Sequence, residues 1–379
     1  MTDHYQKSIE LHKKYQGKLR TEAIAHIETR DDLSWAYSPG VAEPCREIAT
    51  DPEKMYDYTL KSRTVAVISD GSAILGIGNL GHKASMPVME GKCVLFKEFG
   101  DVDAFPIIIG TQDTEEFIKT VKNIADGFGG INLEDISAPR CFEIEERLKA
   151  ELDIPVMHDD QHGTAIVVLA GLINALKVTG KKKEDIRVVL NGAGAAWVAI
   201  CKLLHLYGVQ HFIACDTKGI IHSGRENLDI SKQKLLEFTN PDNKTGTLAD
   251  AIVGADVFLG VSAAGALTED MVRTMASDSI IFAMANPIPE IMPELALAAG
   301  ARIIGTGRSD YPNQVNNVLA FPGIFRGVLR YRKRQITDAM KIRAAEALAS
   351  YVVNPTDTEI LPNPLDKWVA EVVALAMKD

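Results

Sequence analysis

The sequence predicts an α/β protein whose strands run parallel and are covered by helices on both faces. Two observations carry this. From about Thr64 onward, runs rich in β-branched residues alternate with segments whose apolar residues recur every three or four positions. The runs near residues 186 and 280 are almost wholly apolar, as strands buried on both faces read. The predicted strands are TVAVIS (64–69), AFPIII (104–109), IPVMH (154–158), IRVVLN (186–191), HFIAC (211–215), DVFLG (256–260), SIIFAM (279–284) and ARIIG (301–305). Between them, DTEEFIKTVKNIADGF carries Phe117, Val121 and Ile124 on one helical face. HDDQHGTA opens a long apolar helix that Gly180 ends, and the solvated run KKKED that follows reads as a connection. The segment YRKRQITDAMKIRAAEALASYV reads as helix, and a proline-rich link covers 354–364. No internal repeat or low-complexity tract is visible.

This pattern divides the 379 residues into an N-terminal domain (1–160), a middle domain (161–335) and C-terminal helices (336–379). Hydrophobic residues at 46% and charged residues at 24% are the balance of a folded globular chain, not of a disordered one. The formal net charge of −10 gives no general pull on nucleic acid or anionic lipid, so neither partner is expected. An anionic small molecule would need a local cation or a metal ion to hold it. Five scattered cysteines without a CxxC motif predict free thiols and a reducing, cytoplasmic setting. The start of the chain lacks the basic, apolar, small-residue order of a signal peptide. The longest apolar stretch, about 165–178, is interrupted by Asn174 and Lys177 and is expected in the core rather than in a membrane.

In IRVVLNGAGAAWVAICKLL, Gly192 and Gly194 lie directly after a buried strand and before a helix. This is the Rossmann-type position for a pyrophosphate. The glycines permit a tight turn and close backbone approach, and Ala193, Ala195 and Ala196 line the helix N-terminus facing the negative charge. Asp216, at the end of the next strand, is placed to bind ribose hydroxyls and favours NAD over NADP, although Lys218 and Arg225 nearby could offset it. Trp197 dissents: the third position of the motif is normally small, so the indole must push the helix outward or find its own pocket. The glycine-rich stretch GSAILGIGNLG (71–81) reads as a loop.

Glu134 and Asp135 in GGINLEDI and Asp160 in MHDDQHGT follow strand-like runs, at the edge where α/β proteins place ligands. Neighbours on a regular strand point to opposite faces, so Glu134 and Asp135 share a cation only if the strand ends there, as Ser137-Ala138-Pro139 suggests. Three carboxylates suit Mg²⁺ or Mn²⁺, with positions left for substrate oxygens and water. Solvated surface acids, or helix capping by Asp159 or Asp160, are the competing readings. Lys92 flanks the apolar stripe of Met86, Met89, Cys93 and Phe96, and is either a snorkelling side chain or a buried general base. Tyr37, before a Ser-Pro-Gly turn, reads as either a packing residue or an acid.

Taken in order, YSPGVAEPC, DGSAILGIGNLG, PVMEGKCVLFK, NLEDI, HDDQHGTA, NGAGAA, ANPIPE and QVNNVLAFPG resemble the malic enzymes in their short bacterial form, over about residues 35–327. The resemblance implies oxidative decarboxylation of (S)-malate to pyruvate and CO₂ with NAD or NADP and Mg²⁺ or Mn²⁺, on a homodimer. It implies Lys92 as the base for the C2 hydroxyl, Tyr37 as the acid that protonates C3, and Asp159 as the acid orienting the lysine. Glu134, Asp135 and Asp160 would be the metal ligands, and Asn286, Asn316 and Asn317 would lie near substrate and nicotinamide. Ala73 stands where larger animal-type malic enzymes carry an arginine, so a cation facing the substrate carboxylate would come from elsewhere. Two alternatives compete: an oxaloacetate decarboxylase of the same family with little use for nicotinamide, which Trp197 would favour, and a nucleotide sensor without turnover.

Overall fold

The computed structural model describes residues 2–192, 194–226 and 228–378. Among the described residues, ten strands form two sheets: β1 (Thr64–Ser69), β2 (Asp103–Ile108), β3 (Gly130–Leu133) and β4 (Val156–His158), then β5 (Arg187–Gly192), β6 (His211–Asp216), β7 (Gly219–Ile220), β8 (Val257–Val261), β9 (Ile280–Ala283) and β10 (Ile303–Thr306). All eight predicted strands are present, shifted by at most two residues at either end. Two more complete the sheets: β3, the strand-like run before Glu134, and the two-residue β7, too short to carry any periodicity.

The first sheet is all parallel, in the order β2-β1-β3-β4. The second runs β10-β9-β8-β5-β6-β7 and is parallel except at β7, which pairs antiparallel with β6. Counted from β5, this is the doubly wound dinucleotide-binding order, with its third strand reduced to a short hairpin arm.

Side-chain alternation assigns each face of each sheet. On β1, Val65 and Val67 point into one core and Ala66 and Ile68 into another. On β9, Ile280 and Phe282 enter that same first core, while Ile281 and Ala283 enter a third. The first core is therefore shared by both sheets. Into it pack the helices His82–Gly100, Asp159–Thr179, Ala195–Tyr207 and Phe321–Arg330, and the C-terminal helices Asp338–Tyr351 and Trp368–Leu375. Among the described residues, Asp159–Thr179 is the one helix long and apolar enough to cross a membrane, and most of it is buried in this core. Gly180 ends it in the left-handed conformation, as expected.

The predicted helix across 331–352 is shorter than the sequence suggested. One helix ends at Arg330 and the next starts at Asp338, because the Thr337 side chain accepts the Met340 N–H as an N-cap. Asp338 then ties the C-terminal helices to the nucleotide-type half, pairing with Lys202 Nζ at 2.9 Å and the buried Lys341 Nζ at 3.0 Å. Burial opposes ionisation of Asp338, but Lys341 and Lys202 outweigh it and hold the carboxyl well below its usual range. A depressed carboxylate stabilises the fold above the unfolded-state value and loses that contribution as the pH falls below it. Asp338 is itself partly exposed, so solvent screens both pairs, and the Asp338→Asn variant should be less stable by about 1 kcal/mol at pH 7. In urea unfolding, the gap from wild type should persist down to about pH 4 and close only below it.

Candidate active site

The two central strands of the first sheet and their neighbour β4 end at one edge, and the acids cluster there. β3 stops at Leu133, and Asp135 turns into the left-handed region at φ 54°. That turn breaks the strand alternation, so Glu134 and Asp135 face one site. The loop after β1 wraps Asp135: Ala73 N–H donates to its carbonyl at 3.0 Å, and Leu75 N–H donates to Oδ1 at 3.1 Å. Asp160 Oδ2 accepts from the Asp135 backbone N–H at 2.9 Å, not from its own helix, which removes the capping reading. One oxygen each from Glu134, Asp135 and Asp160 lies within 4.8 Å of the others.

Lys92 rises from the His82–Gly100 helix beneath this cluster. Its Nζ lies 2.7 Å from Asp159 Oδ2, 2.9 Å from Glu134 Oε1 and 4.4 Å from the Phe321 ring centroid. The side chain is buried, so the snorkelling reading fails. Its charged neighbours are carboxylates. Burial pulls the ammonium toward neutrality, but Asp159, Glu134 and Asp160 outweigh that and hold it charged. The price falls on the acids. Burial first, then the charges of Asp160 and Glu134, push Asp135 up to about 8, and burial raises Asp159 to about 6. Glu134 and Asp160 shift upward as well, chiefly through burial.

These residues fit a divalent cation. The donor set is all oxygen, the acids are buried and mutually repelling, and Asp135 Oδ2 is a buried oxygen without a hydrogen-bond partner. Neutralising that repulsion is what an ion held by Glu134, Asp135 and Asp160 would do.

Several partners were not visible in the sequence. Asn132 Nδ2 donates to Glu134 Oε2 at 2.8 Å, two residues back on the same strand. Phe321 lies under the lysine after a return of more than two hundred residues. Asn317, expected near the substrate, donates from Nδ2 to Asp159 Oδ2 at 2.6 Å and so holds the lysine's partner. Arg140 lies against the loop that contains Ala73, but it is committed to Asp70 Oδ2 at 2.9 Å.

At the second sheet, Gly192 and Gly194 stand where expected, and Ala193 lies outside the described residues. A Cβ at Gly192 would meet Val261 Cγ2 at 2.7 Å and its carbonyl oxygen at 2.8 Å, so β8 passes too close for any side chain. Gly194 is the N-cap of Ala195–Tyr207, with no side-chain cap and open space beyond its Cα. The N–H groups at Ala195 and Ala196 thus begin an uncapped helix facing room for an anion. Trp197 does not push that helix outward. The indole is 1% exposed, lies in the shared core, and its Nε1–H points at Leu190 O at 3.4 Å. The objection to nucleotide binding, and with it the support for the decarboxylase alternative, disappears. Asp216 ends β6 as predicted. Burial would raise its carboxyl, but hydrogen bonds from Arg225 and Lys232 push it down to about 2.

Matches to known proteins agree with this architecture. Residues 16–149 match the malic enzyme N-terminal domain, and 161–377 match the malic enzyme NAD-binding domain. The chain belongs to the malic enzyme family. It is 58% identical over 375 residues to a bifunctional malic/malolactic enzyme of Bacillus subtilis, covering 98% of this chain and 92% of that one. It is 52% identical over 380 residues to an NADP-dependent malic enzyme of Halomonas elongata, covering 95% and 89%. The crystal structure of an NAD-dependent malic enzyme from Thermotoga maritima superposes with a TM-score of 0.95 at 48% identity, covering 98% of both chains.

The structure leaves three residues implied by the malic enzyme resemblance away from the lysine's contacts. Tyr37 lies on the N-terminal segment with 70% of its surface exposed. Asn286 is exposed, and its carbonyl lies so close to Gly76 that a Cβ there would meet it at 2.3 Å. Asn316 spends its side-chain oxygen accepting the Val318 N–H at 2.9 Å.

One glycine tests the geometry directly. A Cβ at Gly163 would stand 1.9 Å from Asp159 Oδ1 and 3.1 Å from Asn317 Cβ. In an open helix, Gly→Ala stabilises by about 0.5–1 kcal/mol. Here Gly163→Ala should displace Asp159 from the lysine and lower kcat by about 10²-fold while the chain still folds, read from initial rates and a thermal melt.

Proposed function

We propose that Lys92, Asp159 and Tyr37 share the proton transfers of a malic enzyme at the edge of the first sheet. The overall reaction is metal-dependent oxidative decarboxylation of (S)-malate to pyruvate and CO₂, with reduction of NAD or NADP. The observation that carries the reading is Lys92 Nζ, buried 2.7 Å from Asp159 and 2.9 Å from Glu134, beside a triad of carboxylates. A sensor without turnover gains nothing from a buried lysine set against a metal triad.

A bound dinucleotide would supply the acceptor for the C2 hydride, and a cation held by Glu134, Asp135 and Asp160 would supply a Lewis acid. The chain's own groups do the rest. With a cation offsetting the charge of Glu134 and Asp160, the burial that opposes the ammonium would leave Lys92 Nζ neutral to take the C2 hydroxyl proton, held in place by Asp159 Oδ2, which Asn317 fixes in turn. Loss of CO₂ leaves an enolate, and Tyr37 gives its phenolic proton to C3. Phe321 and the shared core close the lysine's far side to water. Asn286 and Asn316 are assigned to substrate and nicotinamide, and the backbone of Gly192–Ala196 to the pyrophosphate.

By this assignment residues 1–160 carry the substrate and metal, 161–335 the dinucleotide, and 336–379 close the shared core. The protein works as a cytoplasmic homodimer. The helices Arg30–Ala36 and Ala42–Thr50 have no buried residue, and Ile24, Leu33, Trp35 and Tyr37 are all at least half exposed. Apolar exposure on this scale marks a surface that another molecule covers. A second copy covering it would also shield Tyr37 from solvent.

Absorbance at 340 nm with (S)-malate and Mn²⁺ tests the reaction. A signal is expected with NAD, NADP or both, abolished by EDTA, and reduced by about 10²–10⁴-fold in Lys92→Ala. Metal-dependent loss of CO₂ from oxaloacetate without any 340-nm signal from malate would contradict the reading, and so would Lys92→Ala within a few-fold of wild type.

A further inference from the structure

The acid that should choose the dinucleotide has no lone pair left to choose with. At the end of the second strand of such a sheet, a carboxylate accepts from the adenosine ribose hydroxyls and repels a 2′-phosphate. A carboxylate offers about four acceptor sites. At Asp216 all four are occupied. Oδ1 accepts from the Lys218 backbone N–H at 2.9 Å and from Arg225 Nη1 at 3.0 Å. Oδ2 accepts from Arg225 Nη2 at 3.0 Å and from Lys232 Nζ at 2.9 Å. All three side chains are largely buried. The fork of Arg225 is the bidentate geometry that binds a carboxylate or a phosphate equally well. The nearby counter-charge is Asp229, whose Oδ2 lies 3.7 Å from Lys232 Nζ and is more exposed. Both cations come from the stretch after β7, which the short hairpin arm turns back across the end of β6.

We infer that Arg225 and Lys232 set the specificity of this chain at the adenosine 2′ position, cancelling the NAD preference of Asp216 and accepting the 2′-phosphate of NADP. The inference rests on the assignment of the dinucleotide to Gly192–Gly194. To hold the ribose of NAD through Asp216, the hydroxyls must displace charge-assisted hydrogen bonds stronger than those they form. A 2′-phosphate instead offers the same two cations a replacement anion. Neither cation is then left bare, and Asp216 keeps its backbone donor at Lys218.

Direct binding separates the possibilities. Calorimetric titration of the purified chain, without malate or metal, should give an NADPH affinity no more than about tenfold weaker than that for NADH. Arg225→Ala and Lys232→Met should each weaken NADPH by about tenfold or more, while NADH, offered a freed Asp216 oxygen, binds as well as to wild type or more tightly. Arg225→Lys keeps the charge but not the fork and should fall between; a thermal melt of each variant confirms folding. NADH binding more than about tenfold tighter than NADPH to wild type would overturn the inference while leaving the dinucleotide site intact, as would variants that weaken both dinucleotides equally. Failure of wild type to bind either would overturn the dinucleotide site and the inference with it.

Discussion

Everything at the candidate site follows from keeping one ammonium group out of water. Removing a charge from solvent costs several kcal/mol, and only close opposite charges with satisfied hydrogen bonds recover it. Lys92 has these in Asp159 and Glu134, and each of those acids is fixed by an asparagine, Asn317 and Asn132. The arrangement overshoots: one buried lysine faces four buried or partly buried acids. The excess negative charge is what a divalent ion would balance, and it explains why the acids are pushed toward their neutral forms.

The fold supplies this geometry through its edges. Parallel strands present their C-terminal ends on one side, so acids that follow β3 and β4 meet without any special loop. The shared core supplies the rest. Phe96 of the lysine's helix packs against Phe321 and Phe325, with ring centroids 4.7 and 5.4 Å apart, and this contact fixes the segment that carries Asn317. A protein with two separate cores would have no such tie between the lysine and the asparagine that positions its partner.

Elements that carry their own periodicity were legible in the sequence. The eight predicted strands, the Asp159–Thr179 helix and its Gly180 stop were all placed from local pattern. β7 was not, because two residues hold no period and its pairing comes from the turn at Gly219. The acids were legible as candidates, but their common facing depends on the left-handed turn at Asp135, a conformation that aspartate tolerates but does not dictate. Trp197 was misleading for the opposite reason. The motif expects a small side chain because helix and strand lie close there, yet the shared core had room for an indole that the local sequence cannot show. Asp216 stands at the end of β6, where the sequence pattern puts it, but its saturation depends on Arg225 and Lys232, whose approach is a tertiary fact.

The most direct measurement of the central claim is an anomalous difference map from crystals of the chain soaked in Mn²⁺. The account predicts one ion per chain, bound by an oxygen each of Glu134, Asp135 and Asp160, with Lys92 still within hydrogen-bond reach of Asp159. An ion seated elsewhere, or no ordered ion while the three carboxylates stay clustered as described, would contradict it.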